Sequence, residues 1–216
     1  MNYYKGLEVI YSVDELNTHY LDKILSTMSN VLEDNKRVYA LRIDLRLPVS
    51  NAQLDCLSRG ELLNNTFCQK DIIKRFVESL KAKIKAQDNK IKRGGGRVYP
   101  SRLRYIWCRE RNKSLNDHYH MVLFFNKDRY WNCGMYSNER SLIKLVFDAW
   151  NSALGEHVED ANRLVQIVWK GNFYLDQNKY DFERKYRNLF FRLSYFAKKR
   201  TKHYGEGARC FGSSQR

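Results

Sequence analysis

Two histidines two positions apart, His118 and His120, head an apolar run, Met121-Val122-Leu123-Phe124-Phe125. The run is short, partly aromatic, and ends at Asn126-Lys127-Asp128, which predicts a buried strand. On a strand, residues i and i+2 share a face. His118 and His120 then project side by side, as two imidazoles must to share one metal ion. Two unrelated histidines on a half-exposed strand would give the same pattern. With a hairpin loop over 111–117, Glu110 pairs directly with His118 and joins its face. Two histidines and one carboxylate with open positions suit Mn²⁺ or Mg²⁺ holding water and a phosphate oxygen. They suit a closed structural zinc site less well. A central strand would set Arg42 and Asp44 nearby, Asp44 as a further ligand or as the partner of one.

A nucleophile candidate lies far downstream, in Ser194-Tyr195-Phe196-Ala197-Lys198-Lys199. On a helix, Lys198 and Lys199 fall on Tyr195's side, one turn away. A phenol ionises near pH ~10 and needs help to attack. A neighbouring ammonium lowers that barrier or neutralises phosphate charge. An ordinary amphipathic helix with a surface Tyr and Lys has the same spacing, in a chain with 15 tyrosines.

The elements that must position these groups can be read in order. Ser12 and Glu15 form a capping box before a helix over 14–32, striped by Leu16, Tyr20, Ile24, Met28 and Val31. Residues 37–47 alternate: Tyr39, Leu41, Ile43, Leu45 and Leu47 on one face, Arg42, Asp44 and Arg46 on the other. Pro48 ends that strand, and a loop follows over 49–65. A helix over 66–87 leads to a glycine-rich basic stretch over 88–97 with Lys92, Arg93 and Arg97. A plain flexible loop and a loop gripping a phosphate backbone fit that stretch equally well. Strands follow at 103–111 and 118–126, then a helix from Ser137 to about Leu154, a strand at 164–169, and a helix over about 178–202. The tail reads as loop. The middle six elements run β-α-β-β-α-β. They predict an α+β, ferredoxin-like (split β-α-β) antiparallel sheet. Helices would cover one face, an open nucleic-acid-binding face would remain, and N- and C-terminal helices would flank it.

At 216 residues and 43% apolar content, one domain with a real core is expected. A net charge of +15 points to a polyanionic partner, most often nucleic acid. No apolar run reaches roughly 18 residues, and the first residues hold no apolar signal core, so neither a membrane span nor secretion is expected. Five cysteines without a C-x-x-C pair predict free thiols and a cytoplasmic location.

Taken together, Glu110, His118-Tyr119-His120 and Tyr195-x-x-Lys198 resemble the HUH endonucleases of rolling-circle replication initiators. The stretch from Cys108 to His120 is similar to the geminivirus-type arrangement. The ending from Tyr195 to Gly212 looks more like the inovirus-type replication proteins of prophages and mobile elements. The resemblance covers roughly residues 37–212. It implies one endonuclease domain over 1–216: an N-terminal helical extension (1–36), a core (37–170), and a tyrosine helix with tail (171–216). It further implies metal-dependent nicking and joining of single-stranded or hairpin DNA at an origin. His118, His120 and Glu110 would hold the divalent ion, Tyr195 would form a 5′-phosphotyrosine bond, and Lys198 would stabilise charge. Arg42, Asp44, Arg46, Lys92, Arg93, Arg97 and Lys199 would line the DNA path, with a host helicase and polymerase as partners. A single-strand transposase, a relaxase, and a non-catalytic RRM-like DNA- or RNA-binding module are the rival readings.

Overall fold

Period-two alternation over 37–46 folds as expected into a strand, an interior one of the main sheet. The computed structural model describes residues 1–48, 71–111, 117–155, 161–202 and 209–215. The expected loop over 49–65, the start of the helix expected from 66 and residues 112–116 of the hairpin loop lie outside the described residues. The strands are β1 (Asn2–Tyr4), β2 (Leu7–Val9), β3 (Arg37–Arg46), β4 (Arg104–Glu110), β5 (His118–Asn126), β6 (Val165–Asp176) and β7 (Phe211–Ser213). The helices are α1 (Thr18–Asp34), α2 (Ile72–Arg93), α3 (Leu142–Leu154) and α4 (Phe182–Ser194). Short 3-10 turns occupy Val13–Glu15 and Tyr195–Ala197.

β1 and β2 form a hairpin, and the other five strands form an antiparallel sheet in the order β6-β3-β5-β4-β7. The described chain divides into two compact units: residues 1–44, 99–132 and 167–216, and residues 45–98 with 133–166. In the first unit, Val38, Ala40, Ile106, Cys108, Val122 and Phe124 share one parity of the sheet and are buried. They pack with Ile24 and Met28 of α1 and Leu189 and Leu193 of α4 in one core cluster. Each of the buried Val, Leu, Ile, Met and Phe side chains among these contributes roughly 1.5–3 kcal/mol. The opposite parity (Tyr39, Leu41, Ile43, Met121, Leu123, Phe125) is buried as well. The expected open face is therefore closed over the middle of the sheet, because both parities carry apolar residues there. On the site's face accessibility returns toward Arg42, Asp44, His118 and His120, which are half-buried.

In the second unit α2 buries Ile72, Phe76, Leu80 and Ile84, and Phe76 meets Trp150 of α3 edge-on at 5.7 Å. The Trp150 indole N–H donates to Arg46 O at 3.1 Å.

Several boundaries differ from the sequence reading. Ser12 and Glu15 do form the capping box, with Ser12 N donating to Glu15 Oε2 at 3.3 Å, but it caps the 3-10 turn. Asn17 caps α1 instead, its Oδ1 accepting from Tyr20 N at 3.2 Å. Ser141, not Ser137, caps α3, accepting from Lys144 N at 3.2 Å. α2 runs on through Arg93, so only residues beyond it form the glycine stretch. β6 continues to Asp176, past Lys170 at φ 53° and Gly171, where a side chain would meet Val168 O at 2.7 Å. Part of the tail is a strand: β7 pairs with β4, Trp107 against Gly212.

Candidate metal and tyrosine site

The β4–β5 hairpin builds the first half of the site. Its register pairs Glu110 with His118 and Cys108 with His120, the pairing that the alternation predicts. Glu110, His118 and His120 each offer a ligand atom, all within 4.8 Å of one another. The two imidazole centroids lie 5.0 Å apart with planes at 85°. His120 is held at both nitrogens: Nδ1 is 2.6 Å from Asp44 Oδ1, and Nε2 is 3.5 Å from Glu110 Oε2. Burial works against a charged His120, but the Asp44 and Glu110 carboxylates outweigh it and hold the imidazole above the usual histidine range. Asp44 thus serves the histidine pair through His120.

The donor set could hold a divalent cation. It joins a carboxylate to two imidazoles, and Glu110 Oε1, although buried, has no hydrogen-bond partner among the described residues.

α4 and the turn after it build the second half. The apolar stripe predicts a helix to about Lys202, yet α4 ends at Ser194, and Tyr195 begins the 3-10 turn. Lys198 then leaves helical geometry at ψ 130°. The N-terminal segment imposes this break: Asn17 N donates to Ala197 O at 2.8 Å and Lys199 N to Glu15 O at 3.0 Å. Ser194 Oγ accepts from Ile10 N at 3.0 Å, a further tie between the same segments.

The break brings Lys198 onto Tyr195 and turns Lys199 away. Lys198 Nζ donates to the Tyr195 oxygen at 2.7 Å, and the phenol O–H donates to Glu110 Oε2 at 3.4 Å. Lys199 Nζ instead donates to Asp14 O at 2.7 Å, so the expected place for it on Tyr195's side is corrected. Burial, with the Glu110 charge beside it, pushes the Tyr195 phenol up. The Arg42 guanidinium lies over this aromatic pair, 5.8 Å from the Tyr195 centroid and 5.4 Å from that of Phe196. Its Nε is buried with no hydrogen-bond partner among the described residues.

Residue types and spacing thus brought Glu110, His118, His120, Asp44, Arg42, Tyr195 and Lys198 into one site, within one compact unit. Arg46, Lys92, Arg93 and Arg97 belong to the other unit, where all four are exposed. Two neighbours were missed. The Tyr11 ring lies 6.2 Å from that of Tyr195. Lys202 is buried with Nζ 3.8 Å from Glu110 Oε1. No motif marks Tyr11. Lys202 follows Lys198 at helical spacing, but the helix that would have suggested it ends earlier.

Residues 1–214 match the YagK/YfjJ C-terminal domain. The chain belongs to the YagK/YfjJ family. It is 35% identical to the uncharacterized protein YfjJ of Escherichia coli (strain K12), over 91% of this chain and 93% of that protein. It is 33% identical to the uncharacterized protein YagK of the same organism, over 100% of this chain and 99% of that protein. No solved structure matches the chain. In this member of the YagK/YfjJ family, the hairpin histidines and the tyrosine turn meet at Glu110, which faces both.

Proposed function

We propose that this chain is an HUH-type endonuclease. It would nick and rejoin single-stranded DNA at the origin of a phage or mobile element, and so initiate rolling-circle replication. The single observation that carries the reading is the meeting of Tyr195 with the metal-ligating group. Glu110 Oε2 lies 3.4 Å from the phenol oxygen and 3.5 Å from His120 Nε2. The sheet supports it as well. The order β6-β3-β5-β4 is that of a ferredoxin-like split β-α-β unit, fourth-first-third-second, with β7 added at the edge.

Glu110, His118 and His120 would hold a divalent ion, Mn²⁺ or Mg²⁺, which when bound polarises a scissile phosphate as a Lewis acid. The chain's own groups do the rest. Tyr195 attacks phosphorus through its phenol oxygen, forming an O–P bond as the bond from phosphorus to the 3′ oxygen breaks. The phenol's proton passes to solvent as the O–P bond forms. The departing 3′ oxygen takes a proton from solvent. Lys198 stabilises the developing phenolate from 2.7 Å, which offsets the cost that burial imposes on ionising Tyr195. Arg42, whose buried Nε has no hydrogen-bond partner among the described residues, would turn to a phosphate oxygen. One phosphoester replaces another, so no external energy source is needed, and the free 3′-OH reverses the step on rejoining.

The test is covalent trapping. Labelled single-stranded DNA from the element's origin is incubated with the protein in Mn²⁺ or in EDTA, then resolved on a denaturing protein gel. Label should travel with the protein in Mn²⁺, vanish in EDTA, and vanish in Tyr195→Phe. Tight metal-independent binding with no adduct on any origin strand would replace this reading with a binding module.

A further inference from the structure

Lys202 has no part in the reaction above, and its placement is unusual. Its side chain is 0% exposed, as is that of Glu110, and Nζ lies 3.8 Å from Glu110 Oε1. Neither atom has a hydrogen-bond partner among the described residues, so the two meet as charges alone. A buried ammonium held this way is a costly means of stabilising a fold; an apolar side chain of similar size serves as well or better. The backbone holds it in place all the same. Lys202 N donates to Lys199 O at 3.1 Å, and Arg111 N, just past Glu110, donates to Thr201 O at 3.4 Å.

The other carboxylate oxygen is also surrounded. Glu110 Oε2 has Lys198 Nζ at 3.5 Å and His120 Nε2 at 3.5 Å. With Arg42 over Tyr195, three cationic side chains ring the site, opposed by Glu110 and Asp44. A divalent ion among Glu110, His118 and His120 would join an existing excess of positive charge at short range, where burial weakens screening. An anion removes that excess, and a phosphodiester strand supplies one charge per nucleotide.

We propose that Lys202 is an electrostatic latch on Glu110. It keeps the metal site weak in the absence of DNA, and an incoming single strand relieves it, so that metal and strand bind cooperatively. The inference rests on Glu110, His118 and His120 being metal holders. By linkage the coupling is reciprocal: the ion tightens the strand as much as the strand tightens the ion. A nuclease built this way carries its ion chiefly when a strand is in place.

The experiment is calorimetric titration of Mn²⁺ into the full chain carrying Tyr195→Phe, with and without a single-stranded oligothymidylate. The strand should tighten Mn²⁺ binding by about tenfold or more. Adding Lys202→Met should tighten DNA-free Mn²⁺ binding by about tenfold and shrink the gain from DNA. Lys202→Arg keeps the charge and should behave as the parent. Lys202→Gln, also neutral, should follow Lys202→Met and guards against a packing artefact at one substitution. If the neutral variants bind DNA-free Mn²⁺ no more tightly than a parent that binds it, the latch is overturned and the metal reading stands. If no protein binds Mn²⁺ with or without DNA, the metal reading falls and the latch with it.

Discussion

Asp44 and Glu110 act on one imidazole from opposite ends. Asp44 fixes His120 through Nδ1 at 2.6 Å, which leaves Nε2 directed toward Glu110. Outer carboxylates of this kind orient a ligating histidine and raise its basicity. Asp44→Ala should therefore weaken Mn²⁺ binding by about 10- to 100-fold in a chain that still folds, as read by titration and by circular dichroism. Glu110 makes a separate statement about stability. Burial alone would raise its pKa, but the His120 hydrogen bond and the charges of His120, Lys202 and Lys198 win and lower it from 4.5 to about 2. A depressed carboxylate stabilises the fold above its unfolded pKa and stops doing so as pH falls through its folded pKa. In EDTA, Glu110→Gln should unfold at lower urea than the parent at neutral pH. The gap should close as pH drops from about 4.5 to about 2. A gap that persists unchanged to the lowest pH would mean that Glu110 is not the ionised centre of the cluster.

At the scale of elements, the site depends on pieces that carry no chemistry. The N-terminal turn, through Glu15 O and the Asn17 N–H, ends α4 where Tyr195 needs it to end. That break was not legible in the sequence, because the stripe Phe182, Tyr186, Leu189, Leu193, Phe196 continues through it at helical spacing; the cause is tertiary. The β4–β5 register was legible, because two strands of period two and a short connection leave little freedom in which residues face which. β7 was not, since three residues around a glycine give no period. Yet β7 covers the edge of β4, and its Gly212 is there for a reason. A side chain at that position would meet the Trp107 indole at 2.6 Å. Gly212→Ala should cost about 1–3 kcal/mol in chemical denaturation by forcing Trp107 aside. Trp107 fluorescence should report the displacement. Boundary misses such as Ser137 for Ser141 have a simpler origin: two serines one turn apart can each cap, and the one directly before Leu142 does.

At the scale of the whole chain, charge is the first property a partner meets. The net +15 is spread over both compact units, with Lys92, Arg93 and Arg97 exposed in the second. Among the described residues no helix is long and apolar enough to cross a membrane. If the partner is single-stranded DNA, log affinity should fall linearly with log salt, losing about 10- to 100-fold between roughly 50 and 200 mM. A flat salt response in a filter-binding or anisotropy assay would argue for a different ligand. The class of sheet was readable from element order. The closing of the face that carries Arg42 and Asp44 was not, because that depends on how α1 and α4 pack across chain ends that are remote in sequence. That remoteness has a consequence in time. Ile10 and Ser194, hydrogen-bonded in the folded protein, are 184 positions apart, and Asp14 and Lys199 are 185 apart. Hairpins close in microseconds, whereas contacts across most of a chain wait on a large loop entropy. By that argument the histidine hairpin is expected to assemble early during folding and the tyrosine turn to dock late, so a half-folded chain would hold Glu110, His118 and His120 together before Tyr195 reaches them.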